Sequence, residues 1–181
     1  FGILGEQGRG SLFHHRDSSG LASPRIIYMA TLGKAAGVSG AFIAAEQVVI
    51  DTLVQNARSY IYTTASPPAL SCAVLASLRL LQKEEWRRTQ LWKLVVQLRA
   101  GLIGLPWELM YSDTPIQPLL VGSNDIAVAL SEALRIRDIW VPAIRPPTVP
   151  QGTARLRISL SAAHSEQDVA QLISALHELA H

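Results

Sequence analysis

The apolar residues of this chain change their spacing along its length, and that change restricts it to a fold of mixed strands and helices. Arg25 to Ala30 and Gly40 to Ala44 are short, almost wholly apolar runs. Such runs read as strands buried on both faces, and the glycine-rich stretch between them as a turn. From Val48 the spacing becomes helical through Val49, Leu53 and Val54, ending near Arg58. Ser59 to Ser66 reads as a loop, and Pro67-Pro68 then opens a helix, where proline is tolerated in the first turn. Leu70, Val74, Leu78 and Leu81 form one stripe, and Leu91, Leu94, Val95 and Leu98 resume it beyond the charged stretch Lys83 to Lys93. One long helix bridging two lobes is the expectation.

The second lobe alternates strand and helix. Ile116 to Val121 reads as a strand and Gly122-Ser123-Asn124 as a turn with an N-cap. Asp125 to Arg137 is expected to be a helix with Ile126, Val128, Ala129 and Leu134 inward. Ile139 to Val141 reads as a short strand ended by Pro142, and Ala154 to Leu160 as a clearly alternating one. Ser165-Glu166-Gln167-Asp168 resembles a capping box at the start of a last helix on Val169, Leu172, Ile173, Leu176 and Leu179. Residues 1–24 read as a loop with a short helical turn at most.

Composition narrows the function classes. With 181 residues, 49% of them hydrophobic, the chain can bury a core as one domain or two small lobes. A net charge of +2 argues against a nucleic-acid stripe or a polybasic membrane patch. The single cysteine, Cys72, excludes an internal disulfide framework; its apolar helical setting predicts a buried structural thiol and fits a reducing cytoplasm. Arg79 interrupts the run from Ala69 to Leu81, so no segment reaches membrane-spanning length, and no signal peptide is visible. The chain opens on Phe1-Gly2-Ile3-Leu4-Gly5 without methionine and reads as a piece of a longer protein.

Several groups of residues could carry chemistry. Lys34 sits among small residues in Thr31-Leu32-Gly33-Lys34-Ala35-Ala36-Gly37, just past an apolar strand. An amine so placed can form a Schiff base with a carbonyl cofactor, although many such lysines are only solvated loop residues. Along Ala154 to Leu160 the side chains alternate: Leu156, Ile158 and Leu160 share one face, Arg155, Arg157 and Ser159 the other. The arginines are either bidentate carboxylate anchors or a solvated ladder. Arg145-Pro146-Pro147-Thr148 is a stiff loop that either positions a cation and a hydroxyl or merely connects strands. Gly5-Glu6-Gln7-Gly8-Arg9-Gly10 lacks the spacing of a phosphate loop and reads as a turn. The adjacent pair His14-His15 points apart on regular structure and predicts no metal site, and His164, His177 and His181 are scattered.

Together, Gly5 to Gly10, Thr31 to Lys34 with Val38-Ser39-Gly40-Ala41, Ile61-Tyr62-Thr63-Thr64 with Pro67-Pro68-Ala69, Ile116 to Leu119, Ile144 to Pro150 and Gly152 to Arg157 resemble the α-oxoamine synthases, in order and over essentially the whole chain. The resemblance implies a pyridoxal 5'-phosphate enzyme of the aspartate-aminotransferase fold. This is an α/β class, with residues 1–81 as the C-terminal part of the cofactor-binding large domain and 82–181 as a small C-terminal α/β domain. It implies decarboxylative condensation of L-alanine with a pimeloyl thioester, on coenzyme A or a carrier protein, to the amino-ketone of biotin biosynthesis.

It also implies roles. Lys34 would hold the cofactor and then act as general base at the alanine Cα. Thr31, one helical turn before Lys34, would bind the cofactor phosphate, and Thr64 would reach it from the neighbouring subunit of a homodimer. Arg157 would grip the amino-acid carboxylate, and Thr148 and Arg145 would meet the acyl substrate. The aspartate and histidine that the family places against the cofactor ring would precede Phe1, so the 181 residues alone are expected to be inactive. The alternatives are another α-oxoamine synthase, such as a glycine C-acetyltransferase, and a non-catalytic piece that keeps the fold.

Overall fold

The computed structural model describes residues 2–13 and 23–180; the His14-His15 pair and His181 lie outside them. The chain divides into two compact units, the first ending at Glu85 and the second beginning at Trp86.

In the first unit, β1 (Tyr28–Thr31) and β2 (Ala41–Ala44) pair antiparallel, with Tyr28 opposite Ala44 and Thr31 opposite Ala41. The rings of Tyr28 and Phe42 meet edge to face at 5.7 Å. Helices α1 (Gln47–Asn56) and α2 (Pro68–Lys83) follow. Glu6–Gly8 is a 3-10 turn, closed by the Gly10 N–H donating to the Leu4 carbonyl at 2.8 Å, so the glycine-rich block is a turn as expected.

Three expectations need correction here. The strands are not buried on both faces: Met29 is 57% and Ile43 44% exposed in a two-stranded sheet, where Ile50, Leu53 and Val54 line an open hollow beside them without filling it. Cys72 is exposed, not buried. It stands two residues from Leu70, and on a helix that turns it away from the half-buried stripe of Leu70, Val74, Leu78 and Leu81. The expected single long helix is two. At Glu84 the backbone leaves the helical region (φ −102°, ψ 59°), and α3 (Glu85–Gly101) starts afresh. Glu85 places a carboxylate at the positive end of the new helix dipole.

The second unit is a four-stranded antiparallel sheet in the order β3 (Glu108–Leu109), β4 (Ile116–Gly122), β6 (Ala154–Ser159), β5 (Ala143–Ile144). One face carries α3, α4 (Asn124–Arg135) and α5 (Glu166–Leu179). Leu119 of β4 and Leu156 and Ile158 of β6 meet Leu94, Leu98, Leu134, Leu172 and Leu176 there in one core. Gln117 is buried in the same layer and fully partnered. Its Oε1 accepts from Arg99 Nη1 at 2.6 Å, and its Nε2 donates to the Thr114 carbonyl at 2.5 Å.

The inward residues of α4 are Ala127, Leu130 and Leu134, spaced three and four apart. Ile126, Val128 and Ala129, expected inward, are exposed; only Leu134 of the expected set is buried. The strand expected at Ile139–Val141 lies instead at Ala143–Ile144. Pro142 has no N–H to enter a ladder, but its carbonyl accepts the Arg157 N–H at 3.0 Å, so regular pairing starts beyond it. The capping box of α5 is formed: Asp168 N–H donates to Ser165 Oγ at 3.1 Å and Ser165 N–H to Asp168 Oδ2 at 2.7 Å. Among the described residues no helix is long and apolar enough to cross a membrane.

Two predictions follow from these contacts. A Cβ at Gly101 would overlap Ile173 Cδ1 and sit 2.9 Å from its Cγ1. Gly101→Ala should therefore lower unfolding free energy by about 1–3 kcal/mol in a denaturant titration, despite alanine's better helix propensity. The Ser165 backbone N–H, and then its hydroxyl, hold the Asp168 carboxyl below its usual value. A depressed carboxyl stabilises the fold above the unfolded-chain pKa, about 3.9, and loses that contribution as pH falls through the lower folded value. Asp168→Asn should melt below the parent protein at pH 6, with the gap closing towards pH 2–3.

Candidate active site

The loop from Thr31 to Gly40 joins two paired strands, so its ends are fixed by the hairpin. Inside it the Leu32 N–H donates to the Gly40 carbonyl at 2.9 Å and the Val38 N–H to the Leu32 carbonyl at 3.0 Å. The Gly37 N–H closes the tip on the Lys34 carbonyl at 2.9 Å. Gly37 and Gly40 have φ of +64° and +118°, which side chains with a Cβ rarely adopt. Leu32 and Ala36 turn inward and are buried. Lys34 and Thr31 are left on the outside.

Two further contacts clamp this loop. Ser77 Oγ of α2 donates to the Ala36 carbonyl at 2.8 Å. On another side, Gly2 (φ +86°) lies so close that an added Cβ would stand 2.5 Å from the Ala35 Cβ. Neither contact has a sequence signature: Ser77 lies in an ordinary helical pattern, and Gly2 is separated from Ala35 by thirty-odd residues of unrelated pattern.

The result is a primary amine held beside a hydroxyl: Lys34 Nζ donates to Thr31 Oγ1 at 3.4 Å. Thr31 ends β1, so the two side chains meet across a turn, not one helical turn apart as expected. No carboxylate among the described residues neutralises Lys34, and a Cβ added at Gly33 would meet nothing within 4 Å. An exposed amine with a hydroxyl beside it and open space alongside suits a cofactor that presents an aldehyde and a phosphate. Thr64 belongs to the same unit, exposed in the segment between α1 and α2; the structure does not bring it into contact with Lys34 or Thr31.

The other expected site residues fall in the second unit. Arg157 is exposed on β6, on the sheet face turned away from the helices. Arg145 and Thr148 share one exposed turn, with the Thr148 N–H donating to the Arg145 carbonyl at 3.0 Å. That turn leaves β5, whose Ile144 is opposite Arg155 of β6, so all three residues border the same strand pair. Arg155, the strand's other arginine, is half-buried: its Nε donates to the Thr153 carbonyl at 3.0 Å and its Nη1 contacts Met110 Sδ at 3.4 Å. Among the described residues no carboxylate forms an ion pair with Arg145, Arg155 or Arg157. Arg145 and Arg157 are thus exposed cations without an ion-pair partner among the described residues.

Residues 10–176 match the model of the aminotransferase class I and II family, and the chain belongs to that family. The expected fold is borne out. The chain is 62% identical over 180 residues to an 8-amino-7-oxononanoate synthase of Nitrosomonas eutropha, covering 99% of this chain and 46% of that protein. It thus spans about half the length of the curated relatives it matches. Its structure is similar to that of 8-amino-7-oxononanoate synthase from Francisella tularensis, with a TM-score of 0.84 and 30% identity over 98% of this chain and 51% of that one. It is also similar to a high-resolution structure of SPT with PLP, with a TM-score of 0.85 and 25% identity over 99% of this chain and 44% of that one.

The clamp on the lysine loop can be tested directly. Ser77→Ala should cost about 0.5–1.5 kcal/mol, as expected for one intramolecular hydrogen bond. Amide hydrogen exchange should show Leu32 to Gly40 opening faster while β6 is unaffected.

Proposed function

We propose that this chain carries the lysine-bearing and carboxylate-binding parts of a pyridoxal 5'-phosphate-dependent 8-amino-7-oxononanoate synthase, which joins L-alanine to a pimeloyl thioester with loss of carbon dioxide. The observation that carries this reading is the Lys34 amine displayed beside the Thr31 hydroxyl on a doubly clamped loop. The 62% identity to a relative of that name supports the choice of reaction.

The bound cofactor supplies an electron sink that makes the alanine Cα–H acidic. The chain's own residues do the rest. Lys34 would hold the cofactor by its amine, and the same amine would serve as the base that receives the alanine Cα proton. Thr31 offers its hydroxyl to the phosphate, and Thr64 does so from the neighbouring subunit of a homodimer. Arg157 fixes the alanine carboxylate; a guanidinium fork on a strand can bind both carboxylate oxygens without rearranging. Thr148 and Arg145 meet the acyl thioester from a turn stiffened by prolines. Residues 1–81 serve the cofactor and 82–181 the substrates, and we place the enzyme in the cytoplasm.

The decisive variant is Lys34→Ala in the holoenzyme. Turnover of alanine with pimeloyl thioester should fall by about 100-fold or more, in line with loss of a positioned acid-base group. Borohydride reduction followed by peptide mass mapping should label Lys34 in the parent protein and nothing in the variant. A label on another lysine, or full turnover by Lys34→Ala, defeats this reading. Arg157→Ala should raise KM for alanine without changing cofactor attachment. A product from glycine in place of alanine would instead favour the related glycine C-acetyltransferase chemistry.

A further inference from the structure

The strand β6 carries a second arginine that the proposed reaction has not used. We propose that Arg155 binds the distal carboxylate of the acyl substrate, and so selects a dicarboxylic acyl chain over a simple fatty one. This rests on the reading of the chain as a pimeloyl-condensing enzyme.

Four observations support it. Arg155 and Arg157 are on the same sheet face, since successive side chains of β6 alternate and Leu156 is buried. Their Cα atoms are separated by two strand steps, about 6.6 Å. Once joined to alanine, the distal carboxyl carbon stands eight C–C bonds from alanine's carboxyl carbon, about 10 Å when extended with bonds of ~1.5 Å. The Arg155 side chain leans towards Thr153, away from Arg157, which widens the gap between the guanidinium groups beyond the Cα spacing. With alanine's carboxylate on Arg157, a chain running towards Arg155 ends within reach of its side chain.

The surroundings suit methylene groups. Leu120 of β4 and Ile144 of β5 flank Arg155, and Pro118 lies opposite Arg157. Apolar side chains beside two cations make a surface for a carbon chain with an acidic end.

Arg155 is also held in place. Its Nε is engaged by the Thr153 carbonyl at 3.0 Å and its Nη1 by Met110 Sδ at 3.4 Å. A guanidinium has five N–H donors, so these contacts fix its orientation and leave donors for a ligand. Neither partner is charged, and no carboxylate among the described residues pairs with it. A half-buried cation tethered by neutral groups has no ion-pair partner among the described residues, and the substrate's distal carboxylate supplies one.

The experiment compares two acyl donors in the holoenzyme, pimeloyl thioester and heptanoyl thioester, which differ in the distal carboxylate alone. The parent protein should prefer the pimeloyl donor in kcat/KM. Arg155→Gln should lower kcat/KM for pimeloyl by about 10- to 100-fold, the range for a lost hydrogen bond to a charged group. The heptanoyl donor should fall far less, and Arg155→Lys should restore part of the preference. Equal losses for both donors, or an unchanged preference, would overturn the assignment of Arg155. Failure of the parent protein to condense alanine with pimeloyl thioester would instead overturn the functional reading beneath it. Should the glutamine variant fail to fold, phenylglyoxal labelling of the parent protein decides. Pimelate should protect Arg155 where heptanoate does not, and equal labelling with both would count against the proposal.

Discussion

Burial of Leu156 and Ile158 dictates the rest of the second unit. A strand alternates its side chains, so driving these two into the core beneath α3, α4 and α5 sends Arg155, Arg157 and Ser159 to the opposite side. A register slip of one residue would bury two guanidinium groups among leucines at severe desolvation cost and expose the core set. Hydrophobic pressure on one face therefore positions the cations on the other. The placement of these cations is a by-product of core formation, and a rigid one, because β6 is paired on both sides.

The first unit uses the same logic on a smaller scale. Leu32 and Ala36 point inward, so Lys34, midway between them along the loop, points out. The hairpin fixes the ends, Ser77 holds one flank and Gly2 the other. A lysine has a long, entropically expensive side chain, and a mobile loop would scatter its amine over a wide volume. A fixed backbone narrows that volume to the neighbourhood of the Thr31 hydroxyl.

Much of this was legible in the residue pattern where one periodicity operated alone. The alternation from Ala154 to Leu160 and the Ser165 capping box both appear in the structure as read. The pattern misled where tertiary partners decide. The strands flanking Lys34 are apolar yet largely uncovered, and Cys72 lies off its helix's half-buried stripe. On α4 the inward set is Ala127, Leu130 and Leu134, so the helix phase set by the two leucines turns the small Ala127 inward and Val128 outward. The break at Glu84 carries no glycine or proline to announce it. For the candidate site, the motifs pointed to Lys34, Thr31, Arg145, Thr148 and Arg157 by resemblance. The clamps at Ser77 and Gly2, and the Met110 contact on Arg155, arise from long-range contacts that no local spacing encodes.

The approach of Gly2 to Ala35 couples two positions distant in sequence. Any side chain at residue 2 meets a double obstacle, a methyl group 2.5 Å away and a left-handed backbone torsion. Trimming residue 35 to glycine would lift the first obstacle and leave the second. The two sites should thus behave as an epistatic pair with incomplete rescue, and sequence drift beside Lys34 is constrained from a turn remote in sequence.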